Sequence, residues 1–473
     1  MTRIAIILLF FFSLSANGQD QVINEIDQKS TFYGDIAHQI WEYAELGYLE
    51  EKSTSLLQKT LRDEGFSIEK GVADIPTAFE ASFGSGSPVV GILAEFDALP
   101  GVSQAAVPER KEISTGGNGH ACGHHLFGTG SSAAAIAVKN WMKDNGIQGT
   151  IKLFGTPAEE GGAGKVYMAR AGLFDDVDVM LHWHPSSRNA AWAASSLANK
   201  SAKFRFYGQA SHAAVAPHNG RSALDAVEAM NYMANMMREH VPSESRIHYV
   251  ITSGGEAPNV VPAYAEVFYY VRHPEMQWVK DIFDRLVKVA EAAALGTETR
   301  MDYEVIHGVY NLLPNESISK IMHKNLEQVG GIHYTDEEVA FAKAIKETLP
   351  KNAKTDINSA QQVIPFQVLE RGMGGSTDVG DVSWQVPTAG LSTATWVPGT
   401  SAHTWQAVAA GGTSIGTKGM INAAKVLALT AMDIFKDPSV CNQALEELNR
   451  RRGDGFRYEA MLGDREPPLD YRK

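Results

Sequence analysis

Apolar residues before position 200 form short runs that are separated by a helical pattern. Three of these runs are typical of buried strands: Val89–Leu93, Ile151–Phe154 and Val177–Leu181. The alanine-rich stretch Ser131–Asn145 lies between the first two and predicts a helix that ends at Gly146. Short buried strands that alternate with helices predict a mostly parallel sheet. Functional sites of such sheets lie beyond the carboxyl ends of the strands.

The pattern changes at Lys200 and predicts a second, antiparallel sheet. Strands are expected around Phe204 and Phe206, at Arg246–Thr252, at Ala265–Val271 and at Met301–Ile306, with helices at Ala226–Met237 and Val279–Val289. This β-α-β-β-α-β order is typical of the split ferredoxin-like unit. We therefore predict an α/β protein whose mostly parallel catalytic domain, 20–199 and 311–473, is interrupted by an inserted α+β domain at 200–310.

Beyond residue 310 the pattern is weaker. Residues 333–373 are polar and indicate a surface excursion, and GMGGSTDVGDVSW, at 372–384, indicates a Gly-rich loop. A long helix is predicted at 417–435. The last twenty residues are charged, and we expect them to cover the surface loosely.

Residues 1–19, MTRIAIILLFFFSLSANGQ, have the features of a secretory signal peptide. Arg3 precedes an apolar run, and Ala16 and Gly18 stand where a cleavage site requires small residues. The run is shorter than the ~20 residues that span a bilayer, which disfavours the alternative of an uncleaved anchor. We expect an exported protein, periplasmic or secreted, that has no membrane contact once the signal is removed.

Composition agrees with a soluble enzyme or binding protein. Hydrophobic residues make up 44% of the chain and charged residues 21%, with a formal net charge of −13. A diffuse acidic charge argues against a nucleic-acid partner, because binding to phosphates requires a basic surface.

Groups that can hold a metal ion follow each predicted strand of the first sheet, in the segments AEFDALP, GTPAEEGG and HWHP. The segment GHACGHHLFGTG, at 119–130, adds one cysteine and three histidines. The candidate ligands and their neighbours are Asp97, Cys122, His124, His125, Glu159, Glu160, His182, His184 and His403. Thiolate, imidazole and carboxylate are the ligands that zinc-like metals prefer. We therefore predict a metal site where the strand ends converge.

Cys122 and Cys441 are the only two cysteines of the chain. A disulfide between them is an alternative, because exported proteins often pair their cysteines. The histidines around Cys122 favour a thiolate that binds metal.

The adjacent carboxylates Glu159 and Glu160 indicate divided roles. Two consecutive side chains cannot share one face of a strand. On a loop, one carboxylate can bind metal while the other faces the attacking water and takes its proton. A solvated acidic loop is the alternative.

The motifs GHACGHHLFGTG, GTPAEEGGAGK, GQASHAA, APNVVP and SAHTWQ together resemble the M20 metallopeptidase and amidohydrolase family, over about residues 22–435. Within the family they are most similar to the p-aminobenzoyl-glutamate hydrolase type. The resemblance implies two divalent metal ions per chain, Mn or Zn. The implied ligands are Cys122, His124, Glu160, His184 and His403.

The resemblance also implies the remaining roles. Glu159 would be the general base, Asp97 would orient a ligand, and His212 would stabilise the oxyanion. Asn259 and Arg272 would bind the substrate. Two ambiguities stay open. Relatives carry Asp or Asn at the place of His125. Relatives also differ in which histidine before the proline binds metal, and of His182 and His184 we choose His184.

The implied activity is hydrolysis of the amide bond of N-acyl or N-aroyl amino acids such as p-aminobenzoyl-glutamate. A dipeptidase of the same family is one alternative, and a non-catalytic exported binding protein is another. The inserted domain resembles the lid and dimerisation domain of the family, which implies a homodimer. We expect the partner chain of this dimer to supply His212.

Overall fold

The computed structural model describes residues 18–371 and 374–472. The signal-peptide prediction falls almost wholly on residues 1–17, which lie outside the described residues. Residues 18–28 are helical. Across the described ranges, no helix is at once long and apolar enough to cross a bilayer.

The strands are β1 Ser67–Lys70, β2 Phe79–Ser85, β3 Val89–Ala94, β4 Gly149–Gly155, β5 Val179–Ser186, β6 Ala193–Ala194, β7 Ala198–Tyr207, β8 Arg246–Ser253, β9 Tyr264–His273, β10 Arg300–Val309, β11 Val368–Leu369 and β12 Thr388–Ala394. The helices are α1 Ser30–Tyr43, α2 Glu51–Asp63, α3 His124–Asn145, α4 Gly164–Arg170, α5 Ala223–Met237, α6 Met276–Gly296, α7 Glu316–Val329, α8 Asp336–Thr348, α9 Val379–Ser383, α10 Trp405–Gly411, α11 Ser414–Lys436 and α12 Ser439–Arg452.

The larger sheet has the order β1-β2-β4-β3-β5-β12. Strands β4, β3, β5 and β12 run parallel, with β12 at one edge, and β1 and β2 add an antiparallel pair at the other edge. The prediction of a mostly parallel α/β sheet is therefore confirmed. Helices α3 and α11 pack against this sheet and bury most of their residues, so neither has a broad polar face.

The smaller sheet has the order β10-β7-β9-β8, and all of its neighbouring strands are antiparallel. Together with α5 and α6 it has the predicted β-α-β-β-α-β order. Alternation along β7 explains the arrangement. Phe204 and Phe206 point into a separate hydrophobic core, while Lys203 and Arg205, which alternate with them, are partly exposed.

Several boundaries and three loop predictions are wrong. Helix α3 begins at His124 rather than Ser131, because its first turns carry polar residues and glycines that hide the helical pattern. Strand β5 continues through HWHP, so His182 and His184 lie within the strand. Residues 333–373 are not an irregular excursion, since they include α8, which buries Ala342 and Ile345.

The Gly-rich segment at 372–384 is a loop only in part. Residues 372 and 373 lie outside the described residues, and Val379–Ser383 forms α9. The segment 454–472 does not cover the surface loosely. Ala460, Met461 and Leu462 are buried, because these apolar residues pack against both hydrophobic cores.

Candidate metal centre

A cavity of about 720 Å³ lies between the two sheets and brings together residues that are distant in sequence. The larger sheet and its loops contribute Glu95, Cys122, Glu159, Glu160, His182, His184 and His403, and the smaller sheet contributes Asn199, Tyr270, Arg272 and His307. The cavity is at the carboxyl ends of the parallel strands, where such sheets place their sites.

The turn before α3 brings two ligand candidates together, of which Cys122 lines this cavity. Gly123 has a φ of 77°, and a side chain built on it would place a Cβ 2.6 Å from the ring of Pro185. Glycine is therefore required for the chain to reverse between Cys122 and His124. Cys122 ends the loop, and His124 starts the helix.

Two groups of three side chains share Cys122. One group comprises Cys122, His124 and His184, and the other comprises Cys122, Glu160 and His403. Within each group the ligand atoms lie within 4.8 Å of one another. The structure thus brings together all five candidate ligands that the family resemblance implies. Both Cys122 and Cys441 are free thiols, which excludes the alternative disulfide in this structure.

The carboxylate of Asp97 contacts two of these residues. Its Oδ1 lies 2.8 Å from Nδ1 of His124, and its Oδ2 accepts a hydrogen bond from the backbone N–H of Glu160 at 2.9 Å. The His124 imidazole and the Glu160 amide hold the pKa of Asp97 low despite its burial. These contacts are those of a residue that orients ligands.

Unsatisfied polar atoms point at the same space. Glu95 Oε2, His124 Nε2 and Glu160 Oε1 are buried and make no well-directed hydrogen bond within the described part of the chain. Their neighbours are other candidate ligands: Glu95 Oε2 lies 3.1 Å from His124 Nε2, and Glu160 Oε1 lies 3.0 Å from His403 Nε2. Buried polar atoms are usually hydrogen-bonded, so ligand atoms that crowd together without such bonds fit a shared cation. Sulfur, imidazole and carboxylate donors fit divalent ions of the zinc type, and the residues present therefore fit a metal centre.

Burial and neighbouring charges shift the pKa values of several groups in the cavity. Burial and the nearby carboxylates of Glu95 and Glu160 raise the pKa of Glu159 well above its usual range. Burial raises the pKa of the Cys122 thiol. Burial opposes protonation of His124, but the charges of Cys122 and the carboxylates outweigh it and raise the pKa of His124. The cluster thus attracts positive charge.

Sequence reasoning missed a buried ion-pair network beside the site. Lys165 Nζ lies 2.7 Å from Glu95 Oε1 and 2.6 Å from Asp378 Oδ1, and all three side chains are buried. Glu95 also lies 3.1 Å from Nε2 of His124 and forms a third ligand group with His124 and Glu159. Glu95 stands in the AEFDALP segment, so its position after a strand was the available signal. Lys165 and Asp378 carried no such signal in the sequence, because folding alone brings them together.

The two ambiguous histidines differ in their surroundings. His125 Nε2 contacts the carbonyl of Gly411 at 3.1 Å, and its ring packs on His120. His182 lines the cavity, but its ring packs against Gly390 of β12, and burial lowers its pKa to about 4. In the described ranges neither residue belongs to a ligand group, whereas His184 does.

The predicted substrate residues are divided between two places. Arg272 lines the cavity, opposite Asn199 on β7 and close to His307. His212 and Asn259 instead lie side by side on exposed loops of the inserted domain, where the N–H of Ala213 donates to the Asn259 carbonyl. Neither residue lines the cavity of its own chain.

Comparison with known proteins relates this geometry to characterised chains. Residues 91–407 match the profile of Peptidase family M20/M25/M40. The chain is 43% identical to a subunit of the p-aminobenzoyl-glutamate hydrolase of Escherichia coli (strain K12), over 88% of this chain and 91% of the relative. It is 30% identical to the Xaa-Arg dipeptidase of Mus musculus, over 89% and 90% respectively. A dinuclear metal-binding peptidase of the M20 family from Bacillus subtilis has the same fold, with a TM-score of 0.56 and 15% identity over 85% of this chain and 99% of the other.

Proposed function

The chain belongs to peptidase family M20/M25/M40 and hydrolyses amide bonds, and from this premise we propose that its substrates are amino acids with an acyl or aroyl group on their nitrogen. The leading candidate is p-aminobenzoyl-glutamate, the substrate in the name of the Escherichia coli relative. The observation that carries the proposal is one cavity lined both by Arg272 and by four of the five candidate metal ligands, with the fifth, His124, grouped with Cys122 and His184. An arginine suits the free carboxylate of an amino acid, because its planar fork binds a carboxylate through two hydrogen bonds.

Two divalent ions, Mn or Zn, are proposed to bind Cys122, His124, Glu160, His184 and His403. When bound, they would polarise the scissile carbonyl and make water acidic enough to lose a proton. Asp97 would keep Nδ1 of His124 protonated and leave Nε2 free as a ligand atom. Lys165 would balance the charge of Glu95 beside this ligand.

Glu159 is proposed to move the proton. Its carboxylate takes a proton from the attacking water while the water oxygen bonds to the amide carbon. The same carboxylate then gives the proton to the amide nitrogen as the carbon–nitrogen bond breaks, so that a free amine and a carboxylic acid leave. Its position in the cavity beside Glu160 and Glu95 supports this role.

We further propose that two chains complete each other's sites. His212 and Asn259 lie on exposed loops, away from the cavity of their own chain. In a homodimer joined through the inserted domains, these loops would face the partner's cavity. His212 would then stabilise the oxyanion and Asn259 would hold the substrate. Residues 1–19 support export to the periplasm or the medium.

A dipeptidase activity is the second candidate, because the murine relative is named for dipeptides that end in arginine. A panel of p-aminobenzoyl-glutamate, benzoyl-amino acids and Xaa-Arg dipeptides, assayed by release of free amine, separates the two. We expect release from the aroyl-amino acids and little from the dipeptides. Release from the dipeptides alone would contradict the proposed substrate class.

A further inference from the structure

The segment 454–472 forms a strap that connects the two sheets to the rim of the cavity. The Arg170 guanidinium donates hydrogen bonds to the carbonyls of Gly463 and Arg465, each at 2.7 Å. Arg465 in turn donates to the carbonyls of Val305 and Ile306 on β10. The strap is therefore fixed to the catalytic domain and to the inserted sheet.

The last described residues of the strap contact the loop that carries Glu159 and Glu160. The Tyr471 hydroxyl donates to the carbonyl of Glu160 at 3.1 Å, and Nη2 of Arg472 donates to the same carbonyl at 2.7 Å. Burial raises the pKa of the Tyr471 hydroxyl, so this group stays a donor. The two contacts hold Arg472 at the cavity wall, where it is a lining residue.

Arg472 has hydrogen-bonding capacity left for a ligand. Its Nε is buried without a hydrogen-bond partner within the described residues. An arginine has five N–H donors, and a buried donor without a partner is costly. Arg272 shows the same feature on the inserted domain, since its Nε is also buried and unpartnered within the described residues. One cavity thus holds two guanidinium groups that come from different elements.

We propose that Arg472 binds a second carboxylate of the substrate, so that the enzyme selects conjugates of a dicarboxylic amino acid. This inference rests on the proposed function, in which Arg272 takes the carboxylate next to the scissile amide. Two guanidinium groups in one cavity match a dianion, whereas a neutral side chain would leave Nε of Arg472 without a charged partner. Arg472 is a specificity-determining residue that lies outside the motifs of the chain.

The test compares p-aminobenzoyl-glutamate with p-aminobenzoyl-glutamine, which has the same shape but lacks the second charge. For Arg472→Ala we expect KM for the glutamate conjugate to rise about 10- to 100-fold, as for the loss of a hydrogen bond to a charged group. KM for the glutamine conjugate should rise much less, by no more than the effect of a lost hydrogen bond to Glu160 that Tyr471→Phe shows on both substrates. Arg472→Lys should recover part of the loss, because the charge is kept. Arg457→Ala is the matched control, since Arg457 is an exposed arginine of the same strap.

Tyr471→Phe separates recognition from support of the loop, because it removes the other hydrogen bond to Glu160. This variant should change both substrates by the same factor. Two results would overturn the role of Arg472 and leave the proposed function intact. One is an equal rise in KM for both substrates in Arg472→Ala, and the other is a wild type that cleaves both conjugates equally well. A wild type that cleaves neither conjugate would overturn the proposed function, and the inference with it.

Discussion

Asp97 Oδ1 lies 2.8 Å from Nδ1 of His124, and both side chains are fully buried. The pKa of Asp97 is held low, so its carboxylate accepts and the imidazole donates through Nδ1. Nε2 of His124 is then the nitrogen without a proton, and it lies 3.1 Å from Oε2 of Glu95, a residue that lines the cavity. The second oxygen of Asp97 holds the backbone of Glu160, so one carboxylate sets the position of two candidate ligands.

Replacing Asp97 should therefore weaken metal binding more than it weakens the fold. For Asp97→Asn we expect metal affinity to fall about 10- to 100-fold, the usual effect of removing a partner that orients a ligand. Competition with a chromophoric chelator measures the affinity. Glu80→Gln is the control, because Glu80 is a partly buried carboxylate that pairs with Lys152, away from the ligands. Equal affinities in Asp97→Asn and the wild type would show that Asp97 does not orient the ligand.

Arg272→Lys should impair substrate binding although the positive charge is kept. A lysine cannot reproduce the bidentate fork, so KM for the free acid should rise about 10-fold or more. Steady-state kinetics on the free acid and on its amide measure this effect. Arg246→Lys is a matched control. Arg246 lies on β8 directly across from Arg272 on β9, but its side chain is exposed. If the wild type cleaves the amide as well as the free acid, Arg272 does not recognise the carboxylate.

His307 should make the protein less stable in acid. Burial and the nearby charge of Arg272 lower the pKa of His307 to about 4, below its ordinary value of 6.5. The unfolded chain therefore binds the proton more tightly, and stability present above pH 6.5 is lost as the pH falls toward 4. The contribution lost by pH 4 is roughly 3 kcal/mol, at about 1.4 kcal/mol per pKa unit.

Comparing metal-stripped wild type with metal-stripped His307→Gln measures the pH-dependent contribution of His307 to the free energy of unfolding. Unfolding by denaturant at pH 7 and at pH 4.5 should show a larger acid loss for the wild type, because the variant has no group to protonate here. Metal release cannot cause the difference, since both proteins start without ions. Equal losses in the two proteins would show that His307 does not titrate in this range.

Subunit mixing tests the shared site. Glu159→Ala and His212→Ala should each be nearly inactive alone, because each lesion damages every site of its own homodimer. In a mixture about half of the dimers contain both variants, and one of their two sites is intact, so about a quarter of all sites should work. A mixture that exchanges subunits, shown by a size or affinity tag, but regains no activity would place His212 in the site of its own chain.

Much of the fold followed from local patterns, and the site followed only in part. The alternation at β7 and the buried runs at β3 and β4 marked their strands, because burial leaves a period in the sequence. The prediction missed the first turns of helix α3, because His124 and the glycines after it serve the site rather than the core. Lys165 and the strap residue Arg472 had no local signal at all, because their role arises only from contacts across the fold.

The divided roles of Glu159 and Glu160 are tested by a paired measurement on Glu159→Gln: metal ions per chain and rate of amide hydrolysis in the same preparation. We predict that the variant keeps two ions per chain and loses turnover by about 10²- to 10⁴-fold, because only the proton carrier is removed. Glu160→Gln, its neighbour, should instead lose metal, which separates the two carboxylates. Turnover near the wild-type rate in Glu159→Gln with its full metal content would show that Glu159 does not carry the proton.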